Sequence, residues 1–394
     1  MLEALENVDD LEIVSSYALG DQLAVFPRQR STGAVGLWLL PAARVDDVVP
    51  PRSFLTDAAA RHHSGTARAW AVDPLVHVSL SGDASQDQLL PGRSTRDATS
   101  TRNLVLVDQT CMDDSGRVEI ETRLEGGGLA VTHRLRWCDG EGALRCITEV
   151  TNRSAAPVSL ESLTSAAIGG ISPFSVDDSP RLAVHRIRSH WGAEARCVTE
   201  SLERLHLDRM WIPVWYGAER YGQVGSTPLS GFGSLVAVED RIAGVTWALQ
   251  LRWGGSWQIE LARRDDDLCV SVGLADIELG HWRKLIGPGT RFATPEALVT
   301  VVSGDLDDAC AQLVRAQEAD LSTRLLAEED LPVQFNEYAT TWGDPSADRA
   351  IENITRLQLS ATEPRGIALD ASFGRVDDPI ASGFGHFRAS RPSG

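Results

Sequence analysis

Leu129, Val131, His133, Leu135 and Trp137 alternate with Ala130, Thr132, Arg134 and Arg136. A period of two puts one set on each side of a pleated strand, so this run predicts a half-buried antiparallel strand. Val118 and Ile120 alternate with Glu119, Glu121 and Arg123 in the same way. Gly126-Gly127-Gly128 links that run to the next, and Asp139-Gly140 supplies a hairpin-type turn. A second meander is expected from Val245, Trp247, Leu249, Leu251 and Trp253, with Gly254-Gly255-Ser256 as its turn. Trp257, Ile259 and Leu261 follow, then Leu268, Val270, Val272 and Leu274. Three consecutive hairpin-linked strands favour one sheet packed on another, so residues 1–303 read as a large two-sheet β-sandwich.

The period changes after Gly304. Asp305 can cap a helix whose apolar positions Leu306, Cys310, Leu313, Val314 and Leu321 share one face, a connector over 304–330. Leu331-Pro332-Val333-Gln334-Phe335-Asn336 is an apolar run too brief for a helix. Asp344 as N-cap and Pro345 as first helical residue then open a helix with Ala350, Ile351, Ile354 and Leu357 inside, and Gly366 to Asp370 is another short strand. Strand, helix, strand is the βαβ unit with parallel strands, and no further strand is expected. The fold class is therefore mainly β: a two-sheet sandwich, a linker helix and, over 331–394, the first two βα units of a (β/α)8 barrel that is cut short.

Composition narrows the partner. With 43% hydrophobic and 23% charged residues, the chain can fill a core and has no disordered bias. Its formal net charge of −18 argues against nucleic acid or an anionic membrane surface and suits a neutral ligand such as a sugar. Met1 to Asp10 is acidic and carries no basic n-region or apolar h-region, and no apolar run reaches membrane-span length, so a cytoplasmic protein is expected. Without secretion the sequons at Asn152 and Asn353 carry no weight.

Cys111, Cys138, Cys146, Cys197, Cys269 and Cys310 lack C-x-x-C spacing, so reduced and mostly buried thiols are expected. The histidines include one adjacent pair, His62-His63, and no H-E-x-x-H; phosphate-cradling, dinucleotide and G-x-S-x-G motifs are also missing. No metal or cofactor is expected.

Candidate chemistry gathers at the start of the barrel. Asp370 stands at the carboxyl end of the second barrel strand, the rim where parallel barrels bind substrate; a strand-ending Asp that caps the next turn is the competing reading. Tyr338 and Trp342 lie just past the first strand, and rings beside carboxylates and amides suit a pyranose. The alternative is that both rings pack between barrel and sandwich.

Leu331 to Asp344, reading L-P-V-Q-F-N-E-Y-A-T-T-W-G-D, resembles the first barrel strand of the family 36 glycoside hydrolases, the α-galactosidases. Ile367 to Gly374, I-A-L-D-A-S-F-G, is similar to that family's second strand. The stretch from Phe292 resembles the close of its N-terminal β-supersandwich and linker helix, and Asn152 to Leu163 also fits that domain. The resemblance implies that Asp370 hydrogen-bonds galactose hydroxyls and that Tyr338 stands where the family has a sugar-lining Trp. It also implies a nucleophile and an acid/base on later strands, so that no residue of this chain is catalytic. Ala371-Ser372-Phe373 and Gly385-His386-Phe387 depart from the family's Gly-Trp and Gly-Asp-Trp wording, and His386 cannot supply an Asp's negative charge. In the family an N-terminal loop reaches an active site, sometimes a neighbour's. Gly92 to Arg102, with Arg96 and Arg102 as substrate-binding candidates, is the segment matched to it here, a solvated loop with an exposed arginine pair being the competing reading, and a homo-oligomer is possible.

Two readings follow. In the first, the chain is the N-terminal part of a retaining α-galactosidase acting on galactose-containing oligosaccharides, inactive alone. In the second, the sandwich is a non-catalytic carbohydrate-binding or assembly module, with Trp211, Trp215, Trp253 and Trp257 available to line a sugar groove. A fragment that has lost its catalytic half is a third possibility.

Overall fold

In the computed structural model, Leu129, Val131, His133 and Leu135 are buried and the residues between them half-exposed, as the alternation requires. The structure describes residues 10–49, 72–84, 94–174, 180–208, 217–225, 230–264, 267–321, 334–336, 346–358, 366–369 and 387–388. The chain divides into two compact units, Met1–Ala319 and Asp320–Gly394.

The first unit is built on antiparallel sheets. Strands β1 (Leu11–Leu19), β2 (Gln22–Gln29) and β3 (Trp38–Pro41) form a three-stranded sheet. The large sheet contains β5 (Val105–Asp114), β6 (Arg117–Gly126), β7 (Leu129–Cys138), β8 (Leu144–Asn152), β10 (Leu182–His190), β11 (Arg196–Ser201), β13 (Ser230–Asp240), β14 (Val245–Leu251) and β19 (Ala297–Ser303). Their order is β11-β10-β13-β14-β19-β8-β7-β6-β5, and β18 (Arg291–Ala293) also pairs with β8. The smaller sheet runs β12 (Gly217–Gln223), β15 (Trp257–Arg264), β16 (Asp267–Leu274), β9 (Val158–Ile168) and β17 (Lys284–Ile286), with β4 (Val78–Leu80) paired to β9. Gly127 and Gly128, at φ 58° and 79°, make the turn between β6 and β7, where positive φ at two successive positions favours glycine.

One core lies between the two larger sheets. Ile120, Leu135, Val238 and Trp247 enter it from the large sheet and Leu163, Leu261 and Val270 from the smaller one. The Trp247 indole N–H donates to the Leu39 carbonyl at 2.7 Å, which ties β3 to this core.

The expected second meander is corrected. Gly254-Gly255-Ser256 does not close a hairpin: β14 pairs with β13 and β19, whereas β15 pairs with β12 and β16 in the other sheet. The reason lies in β14, which is buried on both faces and already has a strand on each edge. Trp257 to Arg264 must therefore cross to the smaller sheet.

A helix, Leu306–Leu321, packs on the outer face of the large sheet. Its Ala309, Leu313 and Ala316 bury against Ala143, Ala237, Ala248 and Leu298. Small residues on both sides allow close approach, and Val314, expected on this face, is instead 52% exposed. Asp305 caps the helix, its carboxylate accepting from the N–H groups of Asp307 at 2.9 Å and Asp308 at 3.2 Å. Asp305→Ala is expected to cost about 1 kcal/mol, read as a lowered urea midpoint.

In the second unit, β20 (Gln334–Asn336) and β21 (Gly366–Leu369) pair in parallel, with the helix Ala347–Gln358 between them in sequence. The strand-helix-strand unit is present. Ser346 accepts from the Arg349 N–H at 3.3 Å at the start of this helix, while Asp344 and Pro345 lie outside the described residues. Ile351, expected inside, is 61% exposed, and no described element covers it. A further strand, β22 (Phe387–Arg388), pairs antiparallel with β21, where none was expected. An exposed strand edge recruits any backbone that can pair with it; in a closed barrel that edge would take another parallel strand.

Candidate functional site

Parallel pairing sets the geometry at the strand ends. Gln334 is registered with Gly366, Phe335 with Ile367 and Asn336 with Ala368, so both strands deliver their carboxyl ends to one edge. Leu369 is the last residue of β21, and Asp370 follows it directly in sequence. Tyr338 follows Asn336 by two positions. Asp370, Tyr338 and Trp342 lie outside the described residues, as does His386.

The arginine candidates fall in the first unit and have opposite environments. A 3-10 turn, Thr95–Asp97, and a short helix, Thr99–Asn103, occupy this segment. Ser94 opens the turn by accepting from the Arg96 N–H at 3.1 Å and donates its hydroxyl proton to the Glu260 carboxylate. Arg96 is not on an exposed loop: it forms an ion pair with Asp73, and both side chains are only 3% exposed. Arg102 is exposed.

Around Arg96 the smaller sheet carries a buried polar layer. Along β15, Ile259 and Leu261 enter the core whereas Gln258 and Glu260 are buried on the other face. Arg220 reaches Gln258 at 2.6 Å and Glu260 at 3.3 Å and also pairs with Asp276. Burial raises the pKa of Glu260, opposed by the Ser94 hydrogen bond and by Arg220 and Arg96. His77 is lowered to about 4, first by burial and then by the Arg96 charge, against the pull of Asp73 and Asp97. Each charge here has an opposite charge beside it, so the layer's chemistry is fastening: it holds Ser94 to Asn103 onto the sheet.

The remaining sequence candidates separate cleanly. Trp257 is in the core, Trp253 is half exposed, and Trp211 and Trp215 lie outside the described residues. All six cysteines are free; Cys146 and Cys269 are buried, Cys138 and Cys310 half-buried, and Cys111 and Cys197 exposed, so burial is less general than expected. Burial pushes the Cys146 thiol up to about 12 and the Cys269 thiol well above its usual value, which leaves both inert. Asn152 is fully buried and its side-chain amide donates to the carbonyls of Ala156 at 2.8 Å and Ile286 at 3.0 Å, so the first sequon offers no acceptor in the folded chain. Among the described residues, no group of three His, Cys, Asp or Glu side chains is placed to hold a metal ion, and no helix is long and apolar enough to cross a membrane.

No protein-family model and no curated protein matches this sequence. Solved structures do. A GH36 alpha-galactosidase, AgaA from Geobacillus stearothermophilus, crystallised as a variant with stachyose, superposes with a TM-score of 0.66 at 16% identity, over 92% of this chain and 51% of that one. The galactosidase domain of the alpha-galactosidase-sucrose kinase AgaSK gives 0.64 at 13% identity, over 92% and 50%. The alpha-galactosidase from Lactobacillus brevis gives 0.61 at 14%, over 92% and 49%. This chain has the GH36 alpha-galactosidase fold. It spans about half the length of those solved structures.

Within the galactosidase fold, the sequence reading missed Asp73, Arg220, Glu260 and Asp276. Gln258 and Glu260 do alternate with apolar neighbours, but the same alternation describes a solvent-facing side, and only the covering segment at Ser94 shows that they are buried.

Proposed function

We propose that this chain is the N-terminal part of an α-galactosidase-like retaining glycoside hydrolase that acts on terminal α-galactosides. The observation that carries this reading is the correspondence of 92% of the chain with about half of each GH36 structure. Variants of AgaA have been crystallised with stachyose and with raffinose. The acidic surface, at a formal net charge of −18, also suits a neutral sugar better than an anionic partner.

In this reading Asp370, at the end of β21, accepts hydrogen bonds from galactose hydroxyls, while Tyr338 and Trp342 offer ring faces to the C–H side of the sugar. Retaining hydrolysis needs two carboxyl groups about 5–5.5 Å apart, one attacking the anomeric carbon and one protonating the leaving oxygen. In this reading those come from rim loops of later barrel strands than the parallel pair β20–β21 found among the described residues. Arg96 is a fastening residue, and Arg102 keeps an exposed side chain that a ligand or neighbouring subunit can meet.

A purified polypeptide of these 394 residues should release no galactose from raffinose or nitrophenyl α-galactoside, yet bind galactose. Asp370→Ala should weaken that binding about tenfold or more, the worth of a charge-assisted hydrogen bond. Galactose release would overturn the placement of both acids, and absence of galactose binding by calorimetry would overturn the sugar reading.

A further inference from the structure

We propose that Trp253 is the stacking platform of an accessory carbohydrate site on the first unit, taking one pyranose ring of a galacto-oligosaccharide. The class of sugar rests on the galactoside reading above; the site itself rests on the corner where the chain changes sheets.

Arg252 to Ser256 make that crossing, and both ends are anchored. The Arg252 peptide N–H donates to the Glu296 carbonyl at 2.9 Å and its guanidinium to the Glu296 carboxylate at 2.8 Å. The Ser256 carbonyl accepts from the Ala275 N–H at 3.3 Å and its hydroxyl oxygen from the Gly225 N–H at 2.7 Å. Trp253 stands on this rigid mount, 49% exposed, whereas Trp38, Trp247 and Trp257 are all buried. A Cβ built on Gly255 would come within 2.5 Å of the indole nitrogen and 2.8 Å of Cε2, so this side of the ring rests on bare glycine backbone. About half of the residue is open to water.

Leaving a supported indole exposed forgoes the free energy that burying it would bring, and a flat apolar plate beside charged groups is what a sugar ring uses. The C–H face of a pyranose packs on the ring, and the guanidinium of Arg252, the preceding residue and one-third exposed, offers a donor for its hydroxyls. One stacked ring with one or two charged hydrogen bonds gives a dissociation constant on the order of millimolar. Trp191, also exposed, sits in the β10–β11 turn.

The test is fluorine NMR on the 394-residue chain labelled with fluorotryptophan, with the Trp253 resonance identified by its loss in Trp253→Phe. On addition of raffinose to about 50 mM, that resonance should shift saturably with a millimolar midpoint, and the midpoint should be the same in Asp370→Ala. Gly255→Ala, whose methyl must tilt the indole, should weaken the midpoint about fivefold or more while the other tryptophan resonances stay in place. A Trp253 resonance that does not move, or that moves linearly and equally with sorbitol, overturns the proposal. Failure of the galactoside reading would register separately, as a Trp342 resonance that ignores galactose in wild type and Asp370→Ala alike.

Discussion

Acidification from pH 7 to pH 4.5 is expected to destabilise the sandwich by about 5 kcal/mol through two histidines alone. His77 and His133 are both fully buried, and each pKa is lowered to about 4. For His133 the cause is burial, opposed by the Ser165 peptide; for His77 it is burial followed by Arg96. In the unfolded chain an imidazole titrates near 6.5, so between about 6.5 and 4 the unfolded state binds more protons than the folded one. Stability is therefore complete above about pH 6.5 and drains away through that window, by roughly 3 kcal/mol per histidine at its lower end. His133 sits on β7 directly between Thr122 of β6 and Thr148 of β8, in the middle of three paired strands, where water cannot reach it without opening the sheet. Urea unfolding at half-unit pH steps would show the loss, and His133→Leu should remove about half of it. A midpoint that stays level from pH 6.5 to 4.5 would contradict the account.

Arg96→Ala should cost about 3–5 kcal/mol, the usual consequence of removing one partner from a buried ion pair. The guanidinium and Asp73 are both shielded from water, so truncation leaves a carboxylate with neither solvent nor its counter-charge. The neighbouring Glu260 and His77 also feel the Arg96 charge, so its loss disturbs the whole layer under Ser94. Arg102→Ala, at an exposed position of the short helix Thr99–Asn103, should change stability by no more than about 0.5 kcal/mol. Replacing both partners, Arg96→Met with Asp73→Leu, should recover most of the loss, since the cost lies in the stranded charge. Denaturation midpoints for the three variants decide it. A loss below about 1 kcal/mol for Arg96→Ala would show that Asp73 finds solvent.

What could be read from the chain depended on whether a signal was local. Strand alternation in β6 and β7 was legible because each residue's two neighbours announce the opposite face, and the Asp305 cap because its partners are two and three positions away. The change of sheet at Gly254 was not, since a Gly-Gly-Ser turn looks the same whether it folds back or crosses over. What decides it is β19, which takes the edge of β14 from far along the sequence. A helix, Leu306–Leu321, lies within the segment where one was expected, but its buried face is alanine-rich, and Ala309 and Ala316 carry less hydrophobic signal than the exposed Val314. At the proposed sugar site, the parallel pairing of β20 with β21 follows the reading of the sequence, whereas the side chains of Asp370, Tyr338 and Trp342 fall outside the described residues.

The position of β19 has a consequence for biosynthesis. Ala297–Ser303 lies between β8 and β14, so until this segment leaves the ribosome β14 has no neighbour on that side and β8 has only the short β18. Roughly three quarters of the chain must wait, with open edges and apolar faces, for one short stretch to zip the halves together; nascent chains stalled before Ser303 should be sticky and chaperone-dependent in a way that slightly longer ones are not.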